Sequence, residues 1–135
     1  MSFVPDASVI MAWLFEDEST KYTDSVLLRL ESEDAHFPDL WLYEVANVLV
    51  IGERRNRITE AKSRRFTELL NELPIRVVEI AKDALWGNVL VLAREHGLSA
   101  YDAAYLELAM REGFPIATQD KTLRKAAKRA GLMVI

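Results

Sequence analysis

Short apolar runs recur along the chain, separated by longer stretches in which apolar residues return every three or four positions. The short runs predict strands near Ser2–Pro5, Ala35–Phe37, Ile75–Glu79, Pro115–Thr118 and Met133–Ile135. The longer stretches predict about seven helices, over 7–15, 20–33, 39–55, 59–72, 81–96, 100–112 and 121–130. Strands separated by helices imply βαβ crossovers, hence an α/β fold with a mostly parallel sheet covered on both faces. No Pro/Gly/Ser-rich linker, repeat or low-complexity stretch divides the chain, so one domain over residues 1–135 is expected.

Local signals support these boundaries. Pro38-Asp39 offers a break and an N-cap before the helix at 39–55. Leu73-Pro74 stops the next helix, and Gly97 and Gly113 suit helix C-termini. Ser99 with Asp102 three residues later reads as a variant capping box. Pro5 cannot donate to a sheet ladder and is tolerable only at a strand end. The helix at 39–55 is apolar nearly all round, through Leu40, Trp41, Leu42, Val45, Ala46, Val48, Leu49, Val50 and Ile51. Such a helix is buried on several faces, so part of it is expected to meet another subunit.

Composition narrows the class. A chain of 135 residues, half of them hydrophobic, can bury a core without staples. The absence of cysteine excludes disulfides and thiolate metal sites, and fits a cytoplasmic setting. Asp6 interrupts the first apolar run and no basic segment precedes it, so a signal peptide is not expected. Uncharged stretches such as Val45–Gly52 are far too short to span a membrane.

The net charge of -4 conceals an asymmetry. Acids dominate residues 1–44, whereas Lys121, Arg124, Lys125, Lys128 and Arg129 stand without an acid at the C-terminal end. A second basic cluster comprises Arg54, Arg55, Arg57, Lys62, Arg64 and Arg65. The overall charge argues against a general polyanion binder, while these patches leave a local nucleic-acid contact open.

Four carboxylates stand out against this background: Asp6, Glu44, Asp102 and Asp120, each in an otherwise apolar stretch. Asp6 and Asp120 follow expected strands and precede helices, which places both at the carboxyl ends of a parallel sheet, where ligands bind. Each also has an ordinary explanation as a helix N-cap. Glu44 shares a helical stripe with Asn47, Val48 and Ile51, an environment in which a carboxylate needs a partner. Asp102 has the capping box as its alternative role. Brought together, four such acids would repel one another unless a cation joined them. One or two Mg²⁺ or Mn²⁺ ions would then suit phosphodiester hydrolysis. His36 and His96 have no Ser or Cys nucleophile beside them, and no phosphate-binding glycine loop is present.

These residues resemble those of PIN-domain ribonucleases, specifically VapC-type toxins of VapBC toxin–antitoxin pairs. The resemblance runs through Asp6-Ala7-Ser8, Glu16-Asp17-Glu18, Glu44-Val45-Ala46-Asn47-Val48-Leu49, Leu98 to Leu106, and Ala117-Thr118-Gln119-Asp120 with Leu123. It implies a three-layer α/β/α fold around a five-stranded parallel sheet of order 3-2-1-4-5. It also implies an acidic metal site of Asp6, Glu44, Asp102 and Asp120, with Ser8, Asn47 and Thr118 orienting carboxylates and waters. The family's RNA cleavage with Mg²⁺ or Mn²⁺, its dimerisation and its inhibition by a VapB-like antitoxin become expectations here, with DNA met only through the antitoxin. Arg54, Arg55, Arg57, Lys121 and Arg124 are candidate phosphate contacts. Pro5 departs from the aliphatic residue usual at its position.

Other readings use the same residues differently. A PIN nuclease of RNA processing would keep the chemistry and change the substrate. A receiver-like signalling module would need a phosphoacceptor aspartate after the third strand, where the chain has Val77-Val78-Glu79. A non-catalytic protein would keep only the fold.

Overall fold

Phe3 and Val4, at the centre of the first apolar run, are fully buried in the middle of a parallel sheet. The computed structural model describes residues 1–135. Along the chain run β1 (Ser2–Pro5), α1 (Ala7–Leu14), α2 (Lys21–Arg29), β2 (Asp34–Pro38), α3 (Leu40–Arg54) and α4 (Glu60–Glu72). They are followed by β3 (Ile75–Val78), α5 (Lys82–Ala84), α6 (Leu90–His96), α7 (Ala100–Glu112), β4 (Ile116–Ala117) and α8 (Lys121–Arg129). A 3₁₀ turn, Glu16–Glu18, follows α1, and one π turn, Leu85–Val89, joins α5 to α6. The helix expected over 81–96 is therefore one helical path containing a bulge.

The sheet has four strands in the order β3-β2-β1-β4, all parallel. The expected fifth strand is reduced to a bridge between Ile116 and Val134. Ile116 N–H donates to Met133 O at 3.0 Å and Ile135 N–H to Ile116 O at 2.9 Å. The position beside β4 matches the expected order, but β4 itself spans only two residues and offers no longer ladder. Pro5 is the last residue of β1, and the next N–H, that of Asp6, donates to Ala117 O at 3.0 Å. The missing donor of Pro5 is thereby accommodated at the strand end.

The core joins both faces of the sheet. Phe37 stacks on Trp41 at 4.2 Å, and the buried stretch Ala103–Ala109 of α7 packs onto β1 and β2. Two expectations are corrected. Asp39 has helical dihedrals and makes no cap; its carboxylate accepts from Ile80 N–H at 3.4 Å instead. The helix expected to reach residue 33 ends at Arg29, where an ion pair with Glu33 at 2.8 Å closes the turn. On α3, Trp41, Leu49 and Gly52 are buried and Leu40, Val45 and Val48 pack partly against the core, while Leu42, Tyr43, Val50 and Ile51 are exposed.

Candidate active site

Asp6 leaves the carboxyl end of β1 and caps α1. Its Oδ1 accepts Ser8 Oγ–H at 2.6 Å and Val9 N–H at 3.3 Å. Its Oδ2 accepts the hydroxyl of Thr118, the first residue beyond β4. Thr118 is fully buried, and its Oγ1 also accepts Asp120 N–H at 3.0 Å. Asp120 caps α8 by accepting Leu123 N–H on Oδ1 at 2.8 Å. Capping and convergence are thus compatible, because a cap orients each carboxylate at the strand end from which its helix starts.

Glu44 projects from α3 and Asp102 from the first turn of α7. Glu44 Oε1 accepts Tyr105 Oη–H at 2.6 Å. Ser99 Oγ accepts Asp102 N–H at 3.1 Å, and this single bond caps α7. The Asp102 carboxylate is not needed to close a reciprocal box and remains available.

The four acids form one electrostatic group. Burial raises the Asp6 pKa and the Asp120 charge adds to it, against hydrogen bonds from Ser8, Thr118 and Val9. Glu44 is raised by burial and then by Asp102 and Asp6, against Tyr105. Asp102 is raised by burial and then by Asp120 and Asp6, with the Ser99 hydroxyl opposing. Burial, followed by the charge and hydrogen bond of Glu44, pushes the Tyr105 phenol far above its ordinary range. Tyr105 is therefore a neutral donor. No ion pair of the protein includes any of the four acids.

This donor set fits a hard divalent cation. The acids offer oxygen ligands, and Glu44 Oε2 and Asp120 Oδ2 accept no hydrogen bond from the protein. No group of three or more acidic or imidazole side chains is gathered closely enough here to hold a metal ion without further movement of the side chains or bridging waters. An open carboxylate set suits Mg²⁺, which is bound through one or two carboxylates while keeping several waters.

The expected supporting residues divide. Ser8 and Thr118 bond directly to Asp6. Asn47 is exposed rather than on a buried stripe, and lines an open depression with Leu40, Tyr43, Glu44 and Tyr101. Among the basic residues, Arg54, Arg55 and Lys121 are exposed. Arg57 lies over the Phe15 ring at 3.8 Å and pairs with Asp17 at 3.1 Å. Arg124 is half-buried and bonds main-chain oxygens. Sequence reasoning missed Tyr105, although its place three residues after Asp102 puts both on one face of α7.

A parallel sheet of order β3-β2-β1-β4, with Asp6 after β1 and Asp120 in the loop beyond β4, defines an α/β protein with acids at the carboxyl ends of two adjacent strands. The PIN domain family model matches residues 3–129, and the chain belongs to that family. Within it the chain is VapC-like. It is 34% identical to Ribonuclease VapC3 of Pyrobaculum aerophilum over 91% of this chain and 92% of that one. It is 33% identical to Exonuclease VapC9 of the same organism, over 67% of this chain and 65% of that one. The crystal structure of VapBC2 from Rickettsia felis, bound to a DNA fragment from its promoter, shares the fold. The match has a TM-score of 0.68 and covers 100% of this chain and 98% of that one at 10% identity.

Proposed function

We propose that the chain is the toxin of a VapBC-type toxin–antitoxin pair and cleaves RNA internally. In this reading Asp6, Glu44, Asp102 and Asp120 hold one or two Mg²⁺ or Mn²⁺ ions. The observation that carries the reading is the hydrogen-bonded link of Asp6 to Asp120 through Thr118, with Glu44 and Asp102 close enough to feel the charge of Asp6 and no basic side chain paired with any of the four. A cation held by these residues would supply Lewis-acid activation of a water and charge stabilisation at the leaving oxygen of a phosphodiester.

The chain supplies the orientation. Ser8 and Thr118 hold both oxygens of Asp6, and Tyr105 fixes one oxygen of Glu44 while leaving the other free. Asn47 stands beside Glu44 in the open depression, placed to orient water or substrate. Arg54, Arg55, Arg57 and Lys121 are the proposed contacts to the RNA backbone.

A VapB-like antitoxin is the proposed inhibitor, and the exposed apolar face of α3 supports a homodimer. DNA contact comes through the antitoxin, and the setting is cytoplasmic. No helix is long and apolar enough to cross a membrane.

A circular RNA separates the modes suggested by the relatives' names, because an exonuclease has no end to enter. Protein freed of any partner is expected to open the circle with Mg²⁺ or Mn²⁺ and to stop with EDTA. Degradation of linear RNA alone would reject internal cleavage, and inactivity on both would reject the nuclease.

A further inference from the structure

The Thr118–Asp120 loop carries one of the four acids and the hydroxyl that holds another, yet it leaves a strand of only two residues. Beyond it the sheet continues as one bridge, so no regular ladder fixes this loop from outside. Side chains take over. Arg124 Nη1 donates to Thr118 O at 3.0 Å and to Ile135 O at 3.1 Å. Tyr22, on α2, donates its hydroxyl to the same Ile135 oxygen at 2.8 Å. The Arg124 guanidinium lies 5.9 Å from the centre of the Tyr22 ring. Ile135 N–H in turn holds Ile116 O of β4 at 2.9 Å.

We propose that Arg124 and Tyr22 are positioning residues for the reaction assigned above, Arg124 acting directly on the main chain of Thr118 and Tyr22 through the Ile135 oxygen it shares with Arg124. The assignment rests on the nuclease reading. It moves Arg124 from the group of expected phosphate contacts to the support of the acids.

The reasoning is geometric. The Thr118 hydroxyl donates to Asp6 and accepts from Asp120 N–H, so a shift of Thr118 disturbs two acids together. Arg124 supplies a charged donor where β4 lacks a full strand partner, and such bonds are stronger than neutral ones. Tyr22 joins α2 to the same oxygen, so the clamp closes from two elements. Loss of outer support at metal sites typically costs 10–100-fold in affinity or activity.

The test compares Arg124→Ala, Arg124→Lys and Tyr22→Phe with the unaltered chain. Two quantities are measured: steady-state RNA cleavage and Mn²⁺ binding by calorimetry without RNA. In Arg124→Ala, kcat and Mn²⁺ affinity are expected to fall about tenfold with little change in KM. Arg124→Lys should recover part of both, and Tyr22→Phe should lower both by a smaller factor. A phosphate contact would instead raise KM and weaken its salt dependence, leaving kcat and Mn²⁺ affinity intact; that result overturns the proposal.

If Arg124→Ala does not fold, Tyr22→Phe decides by the same measurements. An unaltered chain that binds Mn²⁺ but cuts no RNA removes the nuclease reading, while Mn²⁺ affinities across the variants still decide the clamp. Equal affinities overturn it, and a chain that binds no Mn²⁺ overturns both.

Discussion

Tyr105 Oη on α7 lies 2.6 Å from Glu44 Oε1 on α3, joining two helices across the acidic site by one short bond. The bond favours ionised Glu44 and opposes the burial that raises its pKa. Tyr105→Phe removes the donor but keeps the ring, so Glu44 should become still harder to ionise. The acid limb of the pH–rate profile is expected to move to higher pH, with a stability loss of about 1 kcal/mol by urea unfolding. An acid limb that stays in place would show that Glu44 ionisation does not control the rate.

The same change from carboxylate to amide should have opposite effects on stability at two acids. Three donors point at Asp6, from Ser8, Val9 and Thr118, whereas an amide has only one acceptor oxygen. Asp6→Asn is therefore expected to cost about 1–2 kcal/mol. The Asp102 carboxylate has the Ser99 hydroxyl as its one supporting donor, and its charge is opposed by burial and then by Asp120 and Asp6. Asp102→Asn should raise the metal-free melting temperature by a few degrees. Both variants should lose RNA cleavage. Equal stability shifts, or surviving cleavage in either variant, would remove the shared-charge account.

Much of this arrangement was legible in the sequence because it follows from local rules. Asp6 directly follows β1 and Asp120 closes the short loop after β4, and both are capping residues, so their positions follow from strand ends and crossovers. Glu44 and Asp102 were visible as charges in apolar helices. Contacts made across the fold were not legible. Tyr105 meets Glu44 from a residue 61 positions away, and Tyr22 meets Ile135 from 113 away. Asp39 misled for the opposite reason, since a residue with capping chemistry is used by a neighbouring backbone amide. The fifth strand was overestimated because an apolar run reveals its tendency to pair but not the length of its partner.

The raised pKa values make metal-free stability depend on pH in a defined direction. Asp6, Glu44 and Asp102 have ordinary values of 3.8, 4.5 and 3.8, and each is raised in the folded chain. Between the ordinary and raised values the folded state holds more protons than the unfolded one, so stability falls as pH rises through that window. Melting in EDTA should therefore occur at higher temperature near about pH 5 than near about pH 7. Saturating Mg²⁺ should reduce the difference, because a cation stabilises the ionised acids. Burial lowers the His36 pKa, which opposes this trend, so the comparison is made in a His36→Gln background, where a melting temperature in EDTA that climbs steadily across the range would contradict the raised acids.

The apolar face of α3 carries the last prediction. Leu42 is 53% exposed and Val50 is 41% exposed, on a helix whose other side holds Trp41 and Leu49 in the core. Exposed substitutions away from special features usually change stability by less than about 0.5 kcal/mol, and glutamate suits a helix better than valine. Leu42→Glu and Val50→Glu should therefore leave the melting temperature of the monomer nearly unchanged. If this face joins two copies, either charge would be buried without a partner, at a cost that opposes association. Sedimentation should show a dimer for the unaltered chain and monomers for both variants. A monomeric unaltered chain, or dimers that persist in both variants, would reject α3 as the dimer surface.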